Sequence, residues 1–300
     1  MARRGIRRGE RMGRGGNRLM LLAALILQAS VAAPIFAPPT DVPQRIVTER
    51  TETSTEARHY RFERLVRFSR EDSGYRAEMI VLGSASDAPQ ALGNLVERSL
   101  SALAGRAIVL HLDDKGRVVA VDAMAPLWER VCQRVADAAA PRPGALPEQT
   151  ALAAKLAASL RALPPERQRA LLATLVTAAV ATEPLDSIGT VTPVRLPGVS
   201  PFGAPVTLEG TRRTVLAENG LLRTTTIASA TMTLPARDGA PATSGTASLE
   251  RIRIFDPRTG MIASGLDTTR NVTGSGAAAR ETLLVTRLRV ERGRPADWPN

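Results

Sequence analysis

Two hydrophobic periods divide the chain. Over residues 57–69, Tyr60, Phe62, Val66 and Phe68 fall on one parity, and His59, Arg61, Glu63 and Arg67 on the other. That period of two predicts a half-buried strand. Residues 74–83 repeat it, with Tyr75, Ala77, Met79 and Val81 opposite Arg76 and Glu78, after a turn at Glu71-Asp72-Ser73-Gly74. Threonine and valine over 44–55 predict an earlier strand. The period then lengthens: Leu92, Leu95, Val96, Leu100 and Leu103 fall at helical spacing, closed by Gly105. Ile108, Leu110 and Leu112, then Val118 to Val121, flank Asp113-Asp114-Lys115-Gly116. This predicts a hairpin with glycine where a positive φ is needed.

Residues 123–182 predict three amphipathic helices joined by proline breaks. Their stripes are Met124, Leu127, Trp128, Val131 and Val135; then Leu152, Leu156, Leu160 and Leu163; then Leu172, Leu175, Val176, Ala179 and Val180. Pro164-Pro165 stops one helix and starts the next. From 188 the strand period returns. Gly189 to Gly203 is rich in proline and glycine and predicts a linker or an irregular edge. Further strands are expected at 205–216, 221–234, 246–255, 261–270 and 280–290, with turns at Glu218-Asn219-Gly220 and Asp256 to Gly260.

Helices gathered in blocks argue against a parallel sheet. The expected fold is α+β: a large curved antiparallel sheet, half-barrel-like, with a helix and a three-helix insertion packed on its concave side. This plan resembles the half-barrel carriers of bacterial envelopes, the periplasmic carrier and receptor of lipoproteins. The resemblance is architectural and spans 45–290. It implies a helical lid over an apolar hollow. The chain departs from that family in its low aromatic content, 3%, and in the length of its helical block.

Charge changes the picture at the N-terminus. The net charge is +11, but seven arginines and one acid, Glu10, fall within residues 1–18. An apolar run from Leu19 to Leu27 follows, then Ala29 to Ala33. A basic region, a short apolar core and small residues read as a cleaved secretory signal, with the cut after Ala32. The alternative is a retained N-terminal membrane anchor, although a span needs about 20 apolar residues. Met12 is a second candidate start. The domain plan is a signal over 1–32, a proline-rich leader over 33–44, one domain over 45–290 with its insertion at 123–182, and a loose tail over 291–300. The expected location is periplasmic or secreted, with membrane contact only through the signal segment.

Without residues 1–32, six of the eleven charges go and +5 remains on 268 residues. With so few aromatics, stacking platforms for single strands are lacking, and no nucleic-acid partner is expected. The lone cysteine, Cys132, sits beside a helical stripe and reads as a buried thiol.

Catalytic patterns are sparse. The two histidines are His59 and His111, with no His-x-x-x-His or Cys-x-x-Cys spacing, so no metal is expected. No Gly-x-Ser-x-Gly, phosphate loop or dinucleotide fingerprint is present, and no cofactor is expected. A hydrolase using His59 or His111 is the remote reading. The leading one is a non-enzymatic exported protein binding an apolar or lipid-like ligand in a sheet-and-helix pocket. Its expected lining is Tyr60, Phe62, Phe68, Met79, Val81, Leu127, Trp128, Val131, Leu172 and Val176. The alternative is a solid-cored envelope protein whose partner is another envelope protein.

Overall fold

The computed structural model describes residues 36–54, 56–87, 100–139, 147–181, 187–236, 242–274 and 279–299. Eleven strands form one antiparallel sheet: β1 (Gln44–Thr53), β2 (Ala57–Glu71), β3 (Gly74–Ser86), β4 (Ala107–Leu112), β5 (Val118–Val121), β6 (Val191–Val199), β7 (Pro205–Leu216), β8 (Leu222–Leu234), β9 (Thr243–Asp256), β10 (Met261–Thr273) and β11 (Arg280–Arg292). Their spatial order is β5-β4-β3-β2-β1-β11-β10-β9-β8-β7-β6. The first strand is therefore central and pairs with the last. Each half of the sheet is a meander, which needs only short turns. The helices α1 (Met124–Ala139), α2 (Pro147–Arg161) and α3 (Pro165–Thr177) carry the chain from one edge to the other.

The sheet is curved, with the helices on its concave side. Alternation in β2 and β3 places Phe68, Met79 and Val81 beneath them, and these pack with Trp128, Val131, Leu172 and Val176 in one core. Leu222, Phe255 and Ile262 from the other half of the sheet join the same core. Val180, just past α3, bridges to Met261 on β10. A second, smaller cluster of Leu208, Ala228, Ala247 and Leu249 lines the concave face of β7 to β9. The α+β expectation holds.

The turn glycine Gly116 has φ +75°, as the hairpin chemistry required. The helix expected over 92–103 falls mostly on residues 88–99, outside the described residues; its end is a 3₁₀ turn over Ser101–Leu103. Three segments differ from expectation. The Pro/Gly-rich stretch contains a strand, β6, which keeps continuous register with β7 through Pro193 and Pro197. Proline is tolerated there because β6 is an edge strand, where an N–H facing away from its neighbour is not needed. The leader is anchored to the sheet: Phe36 is buried, edge-on to Phe68 and Tyr75 at 5.8 and 5.1 Å. The tail forms a 3₁₀ turn over Pro295–Asp297, and Arg67 stacks on Trp298 at 4.6 Å. Residues 1–35, which include the expected signal and its cut, lie outside the described residues. Among the described residues, no helix is long and apolar enough to cross a membrane.

Candidate functional site

The ten expected lining residues come from two layers. Tyr60, Phe62 and Phe68 project from β2, and Met79 and Val81 from β3. Leu127, Trp128 and Val131 lie on α1, and Leu172 and Val176 on α3. The structure brings all ten into one layer between sheet and helices. Nine of them are no more than 5% exposed; Leu127 is half-buried. The rings of Tyr60 and Phe62 stack with centroids 6.5 Å apart. Trp128 satisfies its indole N–H on the Leu160 carbonyl at 3.0 Å, tying α1 to the end of α2. A buried indole donor needs such a partner. Cys132 is buried in the same layer, and that burial pushes its thiol pKa up.

One residue of this layer escaped the periodicity. Arg64 sits on β2 with the inward parity, opposite Ile46 and Val81, and is 3% exposed. Its Nε donates to the Leu175 carbonyl on α3, and Nη1 donates to Thr48 Oγ1 at 3.1 Å. Its guanidinium lies 5.3 Å from the Phe62 ring centre. Leu175 stands in the last turn of α3, where carbonyls lack helical partners and the helix end is negative. Burial pulls the Arg64 pKa down to about 10, which still leaves a cation at neutral pH. The available signal was a charged residue at the inward place of an alternating strand.

The histidines lie on the outer face, away from this layer. Thr51 Oγ1 is 3.1 Å from His59 Nδ1, and the His59 backbone N–H donates to Asp87 at 2.7 Å. A recess of about 500 Å³ lies there, lined in part by Glu49, His59, Arg61 and Asp87. Ser86 pairs opposite Tyr60, so its side chain belongs to the other face from His59. His111 sits between two carboxylates, with Nδ1 2.6 Å from Glu71 and Nε2 3.0 Å from Asp122. Asp113 turns away from it, accepting from the backbone N–H groups of Lys115 and Arg117 at 3.0 and 2.8 Å. Among the described residues, no group of three or more His, Cys, Asp or Glu is placed to hold a metal ion.

The carboxylates beside His111 raise its pKa, chiefly through the hydrogen bond to Glu71 and then that to Asp122. A raised folded pKa makes the protonated form stabilising. That contribution is full below pH 6.5, the ordinary value, and is lost as pH rises through the folded value. Urea midpoints measured from pH 6 upward are therefore expected to fall more steeply in the natural protein than in His111→Gln. Parallel pH profiles for the two would contradict this.

No family model matches the chain, and no curated protein matches it. Among solved structures, it is similar to the crystal structure of an outer membrane channel from Pseudomonas putida F1. That match has 11% identity and covers 87% of this chain and 99% of that one, with a TM-score of 0.20. A likeness at that score carries no argument about fold or function.

Proposed function

We propose that this is an exported, non-enzymatic protein of the bacterial envelope that holds an apolar or lipid-like ligand between its concave sheet face and its helical cover. The observation that carries the reading is convergence: five side chains from two strands and five from two helices meet in one apolar layer. A curved sheet with a helical cover is also a geometry in which ligand sites form. In this reading the helices separate from the sheet as a ligand enters.

A second reading, a solid-cored envelope protein acting through protein contacts, is favoured by the near-complete burial of nine of those ten residues. Native mass spectrometry of the full chain, expressed in a bacterium and recovered from its envelope, separates the two. The first reading expects a lipid-sized mass that leaves on unfolding, and a processed chain beginning at Ala33. A bare protein mass in repeated preparations would favour the second. An intact residue 1–32 segment would contradict cleavage after Ala32.

A further inference from the structure

One cation lies inside the layer between sheet and helices without a counter-charge. Arg64 is 3% exposed and stands on the inward face of β2, in register with Ile46 and Val81. Within two register rows of it, this face of β1, β2, β3 and β11 carries no acid. The first acid along β1 on that face is Glu52, three rows away, and Arg58 stands opposite it. Asp267, further round the sheet on β10, accepts from Arg253 at 2.9 Å. On the covering helices Glu129, Asp137 and Glu166 are exposed. Burial pulls the Arg64 pKa down, and no carboxylate among the described residues counters that pull. Buried charges are ordinarily paired.

Neutral groups hold this cation instead. Its Nε donates to the Leu175 carbonyl, and Nη1 donates to Thr48 Oγ1 at 3.1 Å. A guanidinium carries more donors than these two bonds use. The two acceptors come from opposite layers, Thr48 from β1 and Leu175 from the last turn of α3. The partial charge at that helix end is the only compensation α3 supplies. A displacement of α3 therefore takes one acceptor away and leaves the cation at the opened face of the sheet. A carboxylate or phosphate is a stronger acceptor than the carbonyl it would replace. It takes paired, charge-assisted bonds from the guanidinium fork, and opposite charges attract strongly where water is excluded.

We infer that Arg64 anchors the anionic head of an amphipathic ligand, a carboxylate- or phosphate-type group that takes the place of the Leu175 carbonyl when α3 gives way. The Thr48 hydroxyl, which accepts from Nη1, keeps its own O–H as a second donor to the same head. The ligand's apolar chain then lies in the layer that Phe62, Val81 and Val176 line. The inference rests on the ligand-binding reading above and names the ligand class: an amphiphile with an anionic head.

Titration calorimetry on the full chain tests this with three probes: dodecyl phosphate, neutral dodecyl maltoside and inorganic phosphate, each detergent kept below its micelle-forming concentration. Dodecyl phosphate is expected to bind at least about ten-fold tighter than dodecyl maltoside. Arg64→Met is expected to erase that margin while the maltoside still binds. A merely structural Arg64 moves both affinities together, so a margin that persists in Arg64→Met would overturn the assignment. Because methionine also gives up bonds that join sheet to helix, Arg64→Lys is the second variant. It keeps the charge without the fork and is expected to hold the margin to within about three-fold. A lysine variant that binds both detergents equally would contradict an anchor based on charge. Equal binding of the two detergents by the natural protein would overturn the anionic head and leave the apolar reading standing. Arg64-dependent binding of inorganic phosphate without detergent binding would keep the anion site, name free phosphate as its source, and overturn the apolar reading. Binding of none of the three would overturn both.

Discussion

Phe68→Ala is expected to cost about 4 kcal/mol of stability, read as a lower urea midpoint. Phe68 is fully buried on the concave face of β2. Its neighbour in the β3 register is Ala77, a small residue, which cannot fill the space left by a lost ring. The substitution removes the transfer energy of the ring and leaves a cavity as well. It also removes the edge contact with Phe36 at 5.8 Å, a pairing worth about 1 kcal/mol beyond area. That contact helps hold the leader, whose Asp41 N–H donates to the Phe68 carbonyl at 2.8 Å. Phe68→Leu keeps most of the volume and is expected to cost about 1 kcal/mol. A loss below about 1 kcal/mol for Phe68→Ala would mean that the sheet and helices do not share this core.

Arg64→Ala is expected to cost about 3 kcal/mol. The alanine variant loses both hydrogen bonds and the contact with Phe62. It also strands the Leu175 carbonyl and the Thr48 hydroxyl, each with a desolvation cost of about 1–3 kcal/mol when left unmet in a buried site. Arg64→Met refills the volume but not the hydrogen bonds, and its expected cost is about 1–2 kcal/mol. The cost that remains in the methionine variant, which restores the aliphatic stem but not the donors, distinguishes lost polar links from simple packing. Because Arg64 joins β2 to the last turn of α3, both variants are also expected to speed hydrogen exchange in α3 relative to β2. Uniform exchange changes across the protein would contradict a specific link between sheet and helix.

The sheet was legible where one face is apolar and the other charged. In β2 and β3 the parity of Tyr60, Phe62, Phe68, Met79 and Val81 matches their burial, because covering helices make inward and outward places physically different. Alternation alone does not say which face is inward. In β9, Arg251 and Arg253 alternate with Ile252 and Ile254, and burial of the isoleucines would be the simpler reading. The registers place the arginines on the concave face instead. The pattern of two survives inversion of the strand, and the burial of Leu249 and Phe255, on the same parity as the arginines, shows which face is inward. Strand β6 was obscured for a different reason: Pro193 and Pro197 break a central strand but are harmless at an edge. Phe36 and Trp298 lie in segments whose composition reads as loose, and their anchoring depends on partners far away in sequence. The three helices were legible throughout, since each carries its own apolar stripe and proline punctuation.

Ligand entry between sheet and helices is tested most directly at Trp128, which is buried in that layer with its N–H on Leu160. The only other tryptophan, Trp298, lies in the tail, so a Trp298→Phe protein reports on Trp128 alone. Titration of that protein with dodecyl phosphate, below the concentration at which it forms micelles, is predicted to shift the Trp128 emission. The shift should saturate at one ligand per chain. An emission spectrum unchanged throughout the titration would contradict a ligand site between the sheet and the helices.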